Sequence, residues 1–559
     1  MRPCGESDLA SFVVTFRLDP RIGGTIHEVT SWASRPSALA MLRSVLTVGG
    51  WTMASRVLGF IRDMLMAAMI GAGPIADAFF VANKLPNLFR RLFGEGAFNA
   101  AFVPEFSGLL ATDGPEAARR FAREAISVMT FWLGGITIAG EIFMPQIMHV
   151  LAPGFIATPE KFALTVDLAR ITFPYLMLIC LAALLSGALN GMERFAAAAA
   201  APVLYNLFAI AALLGLTPFV PTIGHAAAWG VSASGVVQLA LLIWAVHRAG
   251  MPMRIPRPRL TPAMKLLLRR MAPGLVGAGA AQLNQAVDLI IASLLPAGTV
   301  SLLYYADRIQ QLPLGVIGIA VGTALLPMLS RQVRGGDDAA ALASLNRAIE
   351  YALFLTLPAA LALTVAAFPI MWVLFGRGAF TIETAHLASQ SLAAYAIGLP
   401  AVVLLKVLAP AAFARGDTTL PMQIGMVTLA VNFVLNIVFN AGALAPASIA
   451  GSLPLLKHIG PALATSLAST FNVVALAIAL HRRGHLVADA VLLHRLPRMG
   501  LAAIGMALAL WFAQEPLFRF ERWLGLISLV TIGIGVYGVA ALLLGAFDVR
   551  LLRRMARRA

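Results

Sequence analysis

Residues 54–64, "ASRVLGFIRDM", put Arg56, Arg62 and Asp63 inside one of the longest apolar runs of the chain. A charged group at the centre of a bilayer costs roughly 2.5 to 3.5 kcal/mol on insertion scales, so such groups face a cavity or a partner. On a helix, Arg56 and Asp63 lie two turns apart and share a face, whereas Arg62 points about 100° away. The next apolar run carries Asp77, Lys84, Arg90, Arg91 and Glu95, with Pro86 placed to break or kink a helix among them. Later in the chain come Asp288, then Asp307 and Arg308 in "YYADRIQQLP", and Lys406. Basic groups outnumber acidic ones in this set, which implies an anionic ligand. Arginine suits phosphate because its planar fork stays ionised and donates two parallel hydrogen bonds.

Arginine identity alone carries little weight, because lysine is scarce throughout the 42 basic residues. Position carries more. Arg91, Arg170 and Arg347 fall near the ends of apolar runs, where snorkelling to the interface or structural pairing accounts for them. Arg56, Arg62, Arg90 and Arg308 fall deeper and are the candidates for ligand contact. Asp63, Asp77 and Asp307 serve equally well as functional acids or as counter-ions to neighbouring arginines. Other chemistries find no footing: there is no G-x-x-x-x-G-K-[ST] phosphate loop, the nine histidines are scattered, and no nucleophile–base or metal cluster converges. A catalytic enzyme is not expected, and ATP is not expected to drive the chain directly.

These side chains need elements that span lipid. Hydrophobic residues make up 59% of the 559 positions, charged residues 12%, and mean hydropathy is +0.84. Such values define a polytopic membrane protein. A spanning helix needs about 20 apolar residues. Fourteen runs qualify: 44–71, 75–109, 121–150, 163–190, 195–219, 224–247, 264–295, 299–332, 345–375, 384–413, 419–442, 459–481, 496–514 and 523–547. Alternating strand patterns are absent, so the expected fold is an all-α bundle. Lys and Arg crowd the even-numbered breaks and the C-terminal tail, whereas the odd-numbered breaks hold only Lys161, Arg377, Lys457, Arg519 and Arg522. Both termini are therefore expected in the cytoplasm. The same asymmetry explains most of the +16 net charge without nucleic acid. The tail "RLLRRMARR" suits anionic lipid.

Residues 1–40 are polar and lack the apolar core of a signal peptide, and are expected to be either a mis-called start before Met41 or a disordered extension. The two cysteines, Cys4 and Cys180, lie far apart and suggest no disulfide framework. The basic stretch at 247–270 divides twelve spans into six and six, giving an N-terminal lobe (41–249), a linker (250–262) and a C-terminal lobe (263–483). Two added helices (484–549) and a basic tail (550–559) follow. Weak internal echoes support a duplication. "LPNLFRRLFGEGAFNAAFVPEFS" resembles "LPLGVIGIAVGTALLPMLS", and "FPYLMLICLAALLSGALNGMERF" resembles "LPAVVLLKVLAPAAFARGD". Duplicated transporters place their substrate site between the repeats.

The stretch "SRVLGFIRDMLMAAMIGAGPIADAFFVANKLPNLFRRLFGEGAFNAAFVPEF", residues 55–106, closely resembles the signature of the MurJ (MviN) lipid II flippase family. The resemblance continues through "APGF" (152–155), "ITFPYL" (171–176), "YYADRIQQLPLGVIGIAVGTALLP" (304–327) and "KVLAPAAFARGDTTLP" (406–421), and covers nearly everything after Met41. It implies the multidrug/oligosaccharidyl-lipid/polysaccharide (MOP) exporter superfamily: two six-helix lobes in pseudo-twofold arrangement around a central cavity, and two added helices forming a groove for a lipid tail. It also implies a substrate, undecaprenyl-pyrophosphate-linked disaccharide-pentapeptide, moved between leaflets of the bacterial inner membrane for peptidoglycan synthesis. The family's functional arginines fall on Arg56, Arg62, Arg90 and Arg308, and its cavity positions on Asp63, Asp77, Asn87 and Ser301. Gln311, beside Asp307 and Arg308, departs from relatives with Glu there and weakens the expectation of an ion-pair gate. Asp288, Asn432 and Asn436 match a sodium site of some relatives; membrane potential is the rival driving force. A monomer is expected. The rival functions are a flippase for another polyprenyl-linked glycan, a drug or cation antiporter with an acid-dominated cavity, and a non-transporting scaffold.

Overall fold

The computed structural model describes residues 38–91, 97–252, 257–315, 319–444, 455–519 and 521–546. The described residues form helices and connections, with no strand among them. In chain order these are α1 (Ala38–Ile70), α2 (Pro74–Phe89), α3 (Ala97–Thr112), α4 (Gly114–Ile142), α5 (Met144–Leu151), α6 (Pro159–Thr172), α7 (Tyr175–Gly191), α8 (Phe195–Gly215) and α9 (Ile223–Arg248). The second half supplies α10 (Pro262–Ser293), α11 (Thr299–Pro313), α12 (Ile319–Arg334), α13 (Asp338–Val365), α14 (Ala367–Phe375), α15 (Ile382–Phe413), α16 (Thr419–Phe439), α17 (Ala441–Leu444) and α18 (Ile459–Arg482). The chain closes with α19 (Ala490–Leu517) and α20 (Arg522–Leu543).

Ten of these spans are long and apolar enough to cross a membrane, α6 and α7 counting as one. The expected fourteen are consistent with this, and the four not among the ten either carry charges within the run or are divided into pieces of 15 or 16 residues. They are α1, α2–α3, α10 and α11–α12, the first two spans of each half, which hold the ionisable groups singled out above. Pairs α8–α9, α1–α8, α2–α6 and α7–α9 build the first half, and α15–α18, α13–α15 and α16–α18 the second. The halves meet where α2 packs on α11 and α3 on α10, while α19 and α20 pair with each other and lie against α13.

Pro86 does not break its helix. α2 runs on to Phe89, and the departure comes at Arg90–Arg91, which form a π-type turn. The ring of a proline disturbs the carbonyls one turn before it, and a π-type turn is one form such a distortion takes. The second half repeats the device: Pro313 lies within α11 and the π-type turn follows at Leu314–Gly315. The internal echo in sequence thus has a matching local geometry. The extension's residues 1–37, Glu95 and the tail 550–559 lie outside the described residues.

Candidate functional site at the interface of the two halves

Asp63 is the hub. Its Oδ1 accepts from Arg62 Nη2 at 2.7 Å and Nε at 3.2 Å, and its Oδ2 lies 3.2 Å from Nε of Arg308 on the opposite half. Tyr304 connects the same groups, its hydroxyl accepting from Arg308 Nη2 at 2.8 Å and donating to Asp63 Oδ1 at 3.2 Å. Arg62 also donates to Asn206 Oδ1 at 3.1 Å, and Asn206 is held by the Ser55 carbonyl at 2.9 Å. Arg62 and Asp63 are 7% and 3% exposed, so a buried carboxylate balances two guanidiniums and leaves the cluster one positive charge in excess. Aromatic faces support both cations: Tyr205 beneath Arg62 and Tyr304 beneath Arg308, with Tyr304 stacked on Phe80 at 3.8 Å.

In the first span Arg62 reaches α8 while Asp63 meets α11, so the two neighbours face different helices. Arg56 does not meet Asp63; its guanidinium is exposed and lies against Gly315, beside the π-type turn after α11. The arginine stem is long enough for Arg62 to fold onto the adjacent carboxylate, so backbone direction does not decide the pairing. Arg90, just past the end of α2, donates to Asn87 Oδ1 at 3.3 Å, and Asn87 in turn donates to the Asn83 carbonyl at 2.8 Å. Gln311 hydrogen-bonds Asp307 one turn away rather than Arg308, whose acid is Asp63. Lys84 stands within electrostatic reach of Asp307 and Asp288. The space bounded by Arg62, Asn83, Tyr205 and Tyr304 holds only about 10 Å³, room for about one water. The halves are drawn together here.

Asp77 forms a second junction at the end where α1 finishes and α2 begins. Its carboxylate accepts from the Gly298 amide at 2.7 Å, the Ser301 amide at 2.9 Å and the Ser301 hydroxyl at 2.9 Å. A residue of α2 therefore caps the N-terminus of α11, where unpaired amides and the positive end of the helix dipole favour a carboxylate. Lys161 Nζ completes the shell at 2.8 Å, itself over the Phe155 ring. Nearby, the Ala379 amide donates to the Ala68 carbonyl at 2.7 Å and the Tyr305 hydroxyl to the Gly71 carbonyl at 3.3 Å. Gly71 and Gly378 both take positive φ, +72° and +57°, and a Cβ on either would strike the facing backbone. At the opposite end Arg270 of α10 pairs with Glu105 of α3, and partway between the two ends Arg91 donates to Gln285 of α10 at 3.4 Å.

Asp288, Asn432 and Asn436 come together as the sequence suggested. Asp288 accepts from Asn436 Nδ2 and from the Thr465 hydroxyl, each at 3.0 Å, and Asn436 Nδ2 also lies 2.7 Å from Asn432 Oδ1. Both asparagines are fully buried, and Asn436 Oδ1 has no hydrogen-bond partner. A carboxylate, a hydroxyl and amide oxygens, one of them orphaned, fit a hard monovalent cation. Tyr304, Asn206, Lys161 and Thr465 were not singled out from sequence. The signals available were slight: a tyrosine one turn before Arg308, a lone Asn in "PVLYNLF", and a lysine at a span start.

An all-helical, multi-pass membrane protein with a cationic cluster straddling two halves is the architecture of a transporter for an anion. The model of the family described as lipid II flippase MurJ matches residues 66–532. A probable lipid II flippase MurJ of Rhizobium meliloti (strain 1021) is 43% identical over 533 residues, covering 93% of this chain and 97% of that protein. The solved structure of a lipid II flippase MurJ in an inward closed conformation superposes with TM-score 0.73 at 25% identity, over 88% of this chain and 97% of that one. A multidrug resistance MATE family transporter of the MOP superfamily, inward-facing, shares the fold at TM-score 0.63 and 13% identity, over 77% of this chain and 94% of its own. The chain belongs to the MurJ family of lipid II flippases.

Proposed function

We propose that this chain moves lipid II, undecaprenyl-pyrophosphate-linked disaccharide-pentapeptide, from the cytoplasmic to the periplasmic leaflet of the bacterial inner membrane by alternating access, supplying peptidoglycan synthesis. The observation that carries this reading is the meeting of Arg62 and Arg308, one from each half, on the single carboxylate of Asp63. A pyrophosphate entering between the halves competes with Asp63 for both guanidiniums, offering bidentate oxygens and more charge. Arg90, hydrogen-bonded to Asn87, adds a third donor, and the exposed Arg56 a fourth.

With both termini cytoplasmic, the α3–α10 end is the cytoplasmic gate and the Asp77 end the periplasmic one. Opening the first breaks Glu105–Arg270; opening the second breaks the cap of α11 by Asp77 and frees Ser301. The headgroup crosses between the halves, while α19 and α20 on the flank of α13 give the polyprenyl tail a path in lipid. Asp288, Asn432, Asn436 and Thr465 would hold a sodium ion, which would supply differential stability to one conformation; Asp288→Asn should then remove any sodium dependence of transport.

The test is complementation in cells depleted of their own lipid II flippase. Wild type should restore growth, and Arg62→Ala and Arg308→Ala should not, at matched membrane abundance. No rescue by wild type overturns the function. Full rescue by both variants overturns the arginine mechanism.

A further inference from the structure

The basic linker between the halves has no part in that cycle, yet it helps to build a cavity of about 440 Å³ with the first turns of α4, lined by Glu116, Arg120, Arg123, Glu124, Arg257 and Arg259. Four arginines and two carboxylates line it, so the hollow keeps a positive excess; Glu116 pairs with Arg119, and Glu124 Oε2 accepts from the Thr261 hydroxyl at 2.8 Å. Arg123 fixes the floor by donating to the Pro252 carbonyl at 2.7 Å from Nη2 and 3.3 Å from Nε. Arg120, Arg257 and Arg259 remain around the opening with no acceptor among the described residues.

Three unpaired guanidiniums from two separate segments repel one another, and the fold nevertheless holds them about one hollow. Pro258 stiffens the linker between Arg257 and Arg259, and Thr261 anchors it by capping α10, accepting from the Met264 amide at 3.4 Å. The opening turn of α4 adds the positive end of a 29-residue helix. We infer that this hollow binds a phosphate-bearing anion, separate from the transport path. Arg120 grips it from the first half, and Arg257 and Arg259 from the linker. Its volume suits a small ligand, and basic pockets at this depth take either phospholipid headgroups or soluble phosphates. Occupancy ties the linker to α4 and so restrains the two halves at that end.

The experiment is thermal unfolding of the purified full chain in neutral detergent. It is titrated with inorganic pyrophosphate, and in parallel reconstituted in phosphatidylcholine nanodiscs with and without phosphatidylglycerol. The variants are Arg257→Gln/Arg259→Gln and, on the other element, Arg120→Gln, with Arg308→Gln as the control for binding in the central cluster. Saturable stabilisation of wild type and of Arg308→Gln, weakened tenfold or more in both linker and α4 variants, supports the site. Stabilisation by pyrophosphate assigns a soluble ligand, and stabilisation by phosphatidylglycerol alone assigns a lipid. Stabilisation by neither, equal stabilisation of wild type and both site variants, or loss in Arg308→Gln instead, overturns it.

Discussion

Replacing Asp77 by Asn tests whether the cap of α11 holds the halves together. The carboxylate is 1% exposed and receives four hydrogen bonds: one from Lys161 within its own half, and three from Gly298 and Ser301 across the interface. Removing one partner of a buried ion pair costs about 3 to 5 kcal/mol, but most of that falls on the Asp77–Lys161 pair, which stays intact whether the end is open or closed. The conformational effect comes from the three interface bonds. An N-cap is worth about 1 kcal/mol, and a hydrogen bond to a charged group about 1.5 to 3 kcal/mol against about 1 for a neutral one. Asparagine keeps the shape and one acceptor oxygen, so the expected bias toward opening is about 2 kcal/mol, a factor of roughly 30. The assay is labelling by a membrane-impermeant maleimide of a cysteine introduced at Val300, which is buried beside Ser301 at this junction, in a background without Cys4 and Cys180. Asp77→Asn should label about tenfold or more faster than the otherwise wild-type chain. Asp77→Asn/Lys161→Met, which removes the stranded ammonium, should recover thermal stability but not slow labelling. Equal labelling of wild type and Asp77→Asn at equal abundance refutes the cap as a gate contact.

Gly378→Ala should open the same end by a different route, because a Cβ there meets the Ala68 carbonyl at a positive φ; accelerated labelling at an introduced cysteine nearby checks it. Glu350 is 1% exposed and binds Arg347 of its own helix and Arg495 of α19, the latter at 2.5 Å. Glu350→Gln should loosen α19 from α13, lowering stability by about 2 kcal/mol after allowing for the partly exposed arginines, read as a lower melting temperature and faster proteolysis near residue 490. In the loop before α16, the Asp417 carboxyl is held below the usual range by the Leu420 amide, then by Arg483 and the Thr419 amide. A depressed carboxyl contributes stability that is complete above its unfolded value near 3.9 and disappears as pH falls through the lower folded value. Asp417→Asn should therefore flatten the acid limb of a melting-temperature profile below about pH 4 while leaving the slope at pH 6 to 8 unchanged.

The spans were legible in sequence because bilayer thickness imposes a length on every crossing, and ionisable residues stand out against apolar runs. Arg62, Asp63 and Arg308 were legible for the same reason. Their pairing was not: Arg62 and Asp63 are neighbours, and a flexible stem overrides the direction that helical periodicity assigns. Contacts made across great chain distance were invisible too. Lys161 and Asp77, or Asp77 and Ser301, are joined only when α2 meets α6 and α11, and no local pattern records it. Pro86 was legible as a disturbance of its helix, though not that the departure would come as a π-type turn at Arg90–Arg91.

The charges carried by α1 also bear on how the chain is made. A ribosome delivers Arg56, Arg62 and Asp63 to the insertion machinery long before Asn206 and Arg308 exist to receive them. During that interval Asp63 has only the adjacent Arg62 to neutralise it, and the side-by-side placement provides that partner within one turn. The first span thus enters lipid with a self-contained ion pair, and the later spans inherit a charge already half satisfied. Substitutions at Arg62 strike biogenesis as well as transport, and for that reason membrane abundance must be measured before any loss of activity is assigned to the substrate site.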